Sequence, residues 1–530
     1  MGFPSMGLSK RMSKLLLSLS VSGILMSPAV AQTVIVSSAI KHDVSPAVRD
    51  LPVIARSEHE NRAHLVKHWP HKPVVSAVDP VVQSSATPAM VTSNVTVFPG
   101  VGNGDYGFAP NAAPPDTNGA VGATQYVQWV NESFAVFRKD TGLLVKGPIA
   151  GNVLWQGFGG ACEQNNDGDP IVKYDQLANR WIFTQLSVST TPYMQCVAVS
   201  TSPDATGTFN RYAFSYDNNF NDYPKLAVWP DAYYISFNMF LNGQSFEGSR
   251  VCAYDRAAMI AGTAATQQCF QLSSSFGGLL PSDLDGSIGP PSGSPDYALN
   301  FGNNTLNVWA FHVDWGNPNN STFTGPTSIP VASFSEACGG GTCIPQPSTS
   351  EKLDSLADRL MYRLAYRHFA DGHEALVVNH SVKVSGNRRS QVDGVRWYEL
   401  NQNNGSGGFS IHQQGTYSPD SSSRWMGSVA MDKVGNIAVG YSVSSSRIFP
   451  AIRFTGRVPT DALGTLQGET VIKDGTGSQL QNLNRWGDYS SIAVDPSDDC
   501  TLWYTTEYLK SSGTFNWSTE IAHFKFPSCF

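Results

Sequence analysis

One unit recurs along most of this chain: an acidic residue, a short apolar strand, a turn, and a second, aromatic strand that ends on a polar side chain. It reads Asp169-Pro-Ile-Val-Lys-Tyr-Asp175 with Trp181-Ile-Phe-Thr-Gln185, and Asp222-Tyr-Pro-Lys-Leu-Ala-Val-Trp229 with Tyr234-Ile-Ser-Phe-Asn238. A third copy is Asp488-Tyr-Ser-Ser-Ile-Ala-Val-Asp495 with Leu502-Trp-Tyr-Thr-Thr-Glu507, and fainter ones start at Asp116, Asp296, Asp358 and Trp425. Strand pairs of this size cannot bury their own faces, so they stack on copies of themselves, which restricts the chain to a solenoid or a propeller. The spacing predicts an all-β, seven-bladed β-propeller, with six or eight blades as the adjacent solutions. Only 42 residues follow Asp488, too few for a whole blade. Residues 91–97 are therefore expected to supply the missing outer strand and close the ring.

The segments flanking this repeat differ from it. Lys10, Arg11 and Lys14 precede an apolar run over residues 15–26, and Ala29-Val-Ala31 forms a small-residue cleavage site, so residues 1–31 read as a signal peptide. The apolar run is too short to span a bilayer. Residues 32–90, rich in Val, Pro, Ser and Ala, read as a low-order spacer or pro-segment, and residues 91–530 as the propeller domain. Within the spacer, His64, His68 and His71 fall at helical spacing, but Pro70 interrupts that helix. The expected product is a secreted or periplasmic monomer with no transmembrane segment. The net charge of -7 becomes -10 once the three basic leader residues are removed. Without a basic face, nucleic acid is excluded as a partner.

Eight cysteines, all beyond residue 160, fit an oxidising compartment. Proximity in sequence pairs Cys162 with Cys196, Cys252 with Cys269, Cys338 with Cys343, and Cys500 with Cys529. No cofactor is required by any motif, although two acidic loops offer oxygen ligands to calcium: Asn165-Asn-Asp167-Gly-Asp169 and Asp495-Pro-Ser-Asp498-Asp499. Gly102-Asn-Gly-Asp-Tyr-Gly107 has the lettering of a dinucleotide loop without a surrounding βαβ unit, and His373-Glu374 lacks a second histidine four residues after the first.

The inner strand of a blade and its hairpin partner run antiparallel, so the start of the first and the end of the second share one face. This puts Asp116, Asp169, Asp222, Asp358 and Asp488 on one rim with Asn131, Gln185, Asn238, Asn379 and Glu507. Arg485, Trp486, Arg424, Trp425, Arg359, Tyr223 and Lys225 join them there. Recurring aspartates serve first as turn-tying groups. Glu507 departs from the Asn/Gln/Ser pattern of its slot and shares a blade with Asp488, so these two are the expected catalytic pair. Two carboxyls at a concave, aromatic-lined mouth suit glycoside hydrolysis. The arginines suit uronate carboxylates, in which case a polysaccharide lyase reaction is expected instead. Without catalysis, the same face would bind carbohydrate or a protein partner, stabilised by the disulfides and calcium.

Pro114-Pro-Asp-Thr-Asn-Gly-Ala-Val-Gly122, Gly168-Asp-Pro-Ile-Val-Lys-Tyr-Asp175 and Arg485-Trp-Gly-Asp-Tyr-Ser-Ser491 resemble segments of a family of large secreted bacterial propeller proteins. The resemblance covers about residues 95–530 and extends distantly to sialidase-like and other glycan-active propellers. It implies a propeller and export, while the expected partner, a polysaccharide or glycoconjugate, rests on the rim chemistry above.

Overall fold

The computed structural model describes the chain outside residues 5–32, 54–61, 64–66, 71, 77, 86, 89, 91, 93–94, 388–389 and 404–405. The leader core, His64 and His71 thus lie outside the described residues. The fold is nearly all-β, with two short helices, Ala161–Gln164 and Arg256–Ala261.

Consecutive strands form antiparallel meanders, each running outward from an innermost strand. The innermost strands are Asn118–Val121, Ile171–Asp175, Asn219–Val228, Leu280–Asp285, Met361–His368, Ser423–Met431 and Ser491–Val494. Each packs against the next in that order, and Ser491–Val494 lies against Asn118–Val121, so the order closes on itself as in a β-propeller. The fourth and fifth are also hydrogen-bonded in parallel, Ser282 to Asp285 opposite Leu364 to Arg367. The aromatic second strands explain the stacking. Trp129 and Phe134 of the first meander meet Phe183 of the second edge-on, with centroids 5.6 and 5.5 Å apart. Burial of such rings, plus their edge-to-face geometry, holds neighbouring sheets together.

Ring closure follows the expectation, with a short shift along the chain. Thr96–Pro99 pairs antiparallel with Trp517–Phe524, placing Phe98 opposite Ile521 and Val97 opposite Ala522. The last meander thereby takes its outer strand from the other end of the protein. All four expected disulfides are present: Cys162–Cys196, Cys252–Cys269, Cys338–Cys343 and Cys500–Cys529.

Residues 32–90 require a correction, because their described part is ordered along the ring. Ile35–Ser38 adds a fifth strand to the third meander, opposite Thr266–Gln271. Lys41–Val44 does the same for the second, opposite Phe209–Ser215. Val82–Gln83 pairs in parallel with the end of Ser406–Tyr417 in the fifth. The reason is edge chemistry: an outermost strand presents unpaired N–H and C=O groups that a passing extended segment can satisfy. Among the described residues no helix is long and apolar enough to cross a membrane.

Candidate active site at the channel mouth

Just before the inner strand, or at an irregularity within it, a residue other than glycine takes a left-handed conformation in several meanders. Asp116 (φ 45°), Asp169 (φ 46°), Tyr223 (φ 54°) and Asp488 (φ 55°) all do so. That region is unfavourable for side chains with a Cβ, so the conformation is held by its surroundings, and it fixes how each side chain leaves the backbone. Asp169, Asp222, Tyr223, Arg359, Arg485 and Asp488 thereby come together around one cavity of about 300 Å³. These six were expected on the rim from the repeat alone.

Behind Tyr223 lies Lys225, which the repeat put on the rim without a role and which is buried outside this cavity's lining. Its ammonium nitrogen lies 3.3 Å from the Tyr223 ring centroid and 4.2 Å from that of Tyr489, and it donates to the Pro224 carbonyl at 2.9 Å. Tyr223 Oη donates to the Asp488 carbonyl at 3.0 Å, and Tyr489 Oη to the Pro170 carbonyl at 2.9 Å, which ties the third, seventh and second meanders together. Burial brings the Lys225 amine down to about 7, although Asp169, Asp116 and Asp488 oppose the shift. The available signal was a cation at a position where the repeat otherwise carries apolar or small residues.

The carboxyls divide by environment. Burial, reinforced by Asp169, raises Asp222 to about 7. Asp116 is fully buried and pushed well above the carboxylate range, first by burial and then by Asp488 and Asp169. Asn131 donates to its Oδ2 at 3.0 Å. Asp488 Oδ2 accepts from Arg485, while its Oδ1 has no donor among the described residues. Asp222 and Asp116 therefore keep protons at pH values where an ordinary carboxyl has ionised.

The arginines are already engaged. Arg359 grips Asp358 through two hydrogen bonds of 2.7 and 3.1 Å and lies 4.4 Å from the Tyr223 ring centroid. Arg485 bridges Asp354, at 3.2 Å, and Asp488. Both guanidinium groups therefore act as counter-ions for the protein's own carboxylates.

Several expected rim residues lie elsewhere. Glu507 is fully buried and outside the cavity lining; its Oε1 accepts from the Gly487 amide, and burial raises its carboxyl well above the usual range. Arg424 is outside the cavity lining, in a double bidentate arrangement with Glu469 (2.8 and 3.0 Å) and Asp420 (2.9 and 3.0 Å). Trp425 and Trp486 pack on each other with centroids 5.9 Å apart, both fully buried. Asp167, offered above to calcium, accepts from the Val188 and Ser189 amides at 2.6 and 2.7 Å, and also from the Ser189 hydroxyl. It therefore ties a loop. In the second acidic loop, Asp498 accepts from the Cys500 and Thr501 amides, and Asp499 pairs with Arg367. Among the described residues the one compact cluster of metal-type ligand atoms is Cys338, Cys343 and Asp393, and its two thiols are joined as a disulfide.

A larger cavity, about 810 Å³, lies away from the mouth. It lies beside Lys139, Asp495 and Trp503, where Lys139 and Asp495 form an ion pair of 2.6 Å. The smaller mouth carries the converging titratable groups, and chemistry follows those groups rather than volume.

No family model matches the chain, and no curated protein does. Solved structures resemble it at low identity. Polysaccharide lyase Uly1 shares 10% identity over 86% of this chain and 99% of its own, with a TM-score of 0.40. An endo-arabinase from Bacteroides thetaiotaomicron shares 12% identity over 57% of this chain and 93% of its own, with a TM-score of 0.26. The Trypanosoma rangeli sialidase shares 11% over 67% of this chain and 54% of its own, with a TM-score of 0.31. The site is argued from its own geometry.

Proposed function

We propose that the chain is an exported seven-bladed propeller that hydrolyses a polysaccharide or glycoconjugate at this mouth. The observation that carries the reading is the pairing in one cavity of Asp222, raised to about 7, with Asp488, whose buried Oδ1 has no donor among the described residues. At neutral pH Asp222 holds a proton that it can give to the leaving glycosidic oxygen as the bond from that oxygen to the anomeric carbon breaks. Water supplies the replacement oxygen and passes its proton to Asp488. The overall exchange is one water for one glycosidic bond, with both carboxyls restored after proton re-equilibration. Tyr223 lines the cavity, and Lys225 is buried against its ring. Hydrolysis is favoured over a lyase because Arg359 and Arg485, the groups suited to a uronate, are both neutralised internally.

The test is a screen of the mature protein and its Asp222→Asn variant against neutral, amino and acidic polysaccharides, reading reducing ends and unsaturated-uronate absorbance separately. New reducing ends that vanish in Asp222→Asn are expected. Unsaturated products would replace the hydrolase with a lyase, and glycan retention without turnover would leave a binding module.

A further inference from the structure

The N-terminal segment does more than cover sheet edges, because between its edge strands it comes to the mouth and inserts side chains there. Arg62 and Lys67 line the same cavity as Asp169, Asp222 and Asp488. Lys67 donates to the Gly243 carbonyl at 2.7 Å and lies 4.8 Å from the Phe220 ring centroid and 5.8 Å from that of Phe240. Trp69 is 7% exposed. It stacks on Phe246 with centroids 6.1 Å apart, and Arg359 lies 4.4 Å from its ring centroid on the way to Tyr223. It also fits against Gly277 and Gly278, where an added Cβ would come within 2.7 Å and 3.3 Å of its ring.

Removing Lys67 and Trp69 from this picture leaves a row of aromatic faces, Phe220, Phe240 and Phe246, leading to the acidic mouth. Phe240 and Phe246 have centroids 5.3 Å apart. Flat rings in a row beside a bond-cleaving cavity are the surface on which successive sugar rings stack. We propose that Lys67 and Trp69 are a built-in occupant of this row, and that their displacement opens it as a subsite for the sugars flanking the cleaved bond. This rests on the glycan reading above.

Two observations give the occupant its character. Its side chains are spent on the row: Trp69 is too buried to offer a face to a sugar, so it fills the groove rather than extending it. It is also tethered on both sides, by Ile35–Ser38 and Lys41–Val44 upstream and by Val82–Gln83 and Thr96–Pro99 downstream. A doubly tethered occupant rebinds at the high effective concentration of an intramolecular ligand and leaves without dissociating. A polymer must therefore out-compete it through several contacts at once, which favours long chains over single sugars.

The experiment uses the full chain with Lys67→Ala/Trp69→Ala and, as probe, a synthetic peptide of residues 62–76. The peptide is expected to bind this variant about ten-fold or more tightly than the unaltered protein, since the tethered competitor is gone. Adding Phe246→Ala to the variant should abolish the gain. Equal binding to both proteins, or no effect of Phe246→Ala, overturns the occupant. If the double variant loses its cooperative thermal transition, Lys67→Ala alone provides the same comparison at lower amplitude. A second arm measures affinity for hexamers of glucose, glucosamine and galacturonate. At least one should gain about ten-fold or more in the double variant. Unchanged affinity for all three, with the peptide result intact, removes the sugar subsite while leaving the occupant. Loss of the hydrolase reading alone would show instead as absent turnover in the unaltered protein.

Discussion

The two ends of the channel carry similar residue types and treat them in opposite ways. At the mouth, Asp116, Asp222, Asp169 and Asp488 crowd around Lys225, and burial moves Asp222 and Lys225 toward neutrality, each to about 7. At the far end, Arg363 Nε binds Asp283 at 2.6 Å, Arg363 Nη2 binds Asp285 at 2.6 Å, and Lys173 also binds Asp283. Burial alone would raise Asp283, yet Lys173 and Arg363 hold it below the ordinary carboxylate range. The far end is a set of matched charges; the mouth holds two ion pairs, Arg359–Asp358 and Arg485–Asp488, beside two groups that burial moves toward neutrality. Matched charges lock strands from different meanders together; groups shifted toward neutrality cost stability and are kept where protons must move.

The sharpest way to break this comparison is to remove one cation from each end. Arg363→Met leaves Asp283 and Asp285 buried without their guanidinium, and should cost about 3–5 kcal/mol in denaturant unfolding. Lys225→Met at the mouth removes an amine that is already half neutral at pH 7, and should cost far less. Equal losses would mean that the two ends do not differ in kind.

Turnover supplies the next test. Asp222→Asn should lower it about 100- to 10,000-fold by removing the proton donor, while the same change at Glu507, as Glu507→Gln, acts through the Gly487 contact and should leave turnover within about ten-fold. Full activity in Asp222→Asn would move the acid to another mouth carboxyl.

The pH dependence of stability separates the ends without any substrate. Between about pH 4 and 7 the folded chain keeps a proton on Asp222 that the unfolded chain has released, so the contribution of this group falls as pH rises. Between about pH 7 and 10 the folded Lys225 is neutral while the unfolded one remains charged, so the contribution of this group rises again. The mouth thus imposes a stability minimum near pH 7. Asp283 acts oppositely: its contribution is complete above the unfolded carboxylate value and is lost as pH falls through its lowered one. Melting temperatures across this range should show the acid-side slope flattened in Asp222→Asn and the alkaline rise flattened in Lys225→Met. Unchanged profiles would rule out the assigned shifts.

What could be read from sequence follows the same division. The repeat exposed the inner and second strands because Asp-turn-strand spacing and aromatic pairing are local. It also located the mouth, since an antiparallel hairpin forces Asp169, Asp222 and Asp488 onto one face. Depth was not legible. Glu507 was singled out as a departure from its slot, but nothing local shows that it is fully buried outside the cavity lining and accepts from the Gly487 amide. Arg424 was placed on the rim because its strand starts there, while its partner Glu469 lies 45 residues away in the chain. The edge strands between residues 35 and 83 are two to four residues long and owe their existence to sheet edges far away in sequence. No periodicity can announce them.

The smallest effect is expected where the mouth is already neutral. Asp116 is fully buried, receives one hydrogen bond from Asn131, and leaves Oδ1 without a donor among the described residues. Burial and the neighbouring Asp488 and Asp169 keep it protonated at pH values where an ordinary carboxyl has ionised. Asn is the nearest neutral analogue of that state, so Asp116→Asn should nearly match the unaltered protein at pH 4, where folded Asp116 is protonated and the unfolded one still holds about half of its protons. As pH rises the unfolded aspartate gives up its proton while the folded one resists, and the unaltered protein loses stability that the variant does not lose. A variant that melts on the order of 2 °C higher at pH 7, and nearly equally at pH 4, is the expected result. A variant destabilised at both values would mean that Asp116 is held as an anion, and that its end of the channel is matched after all.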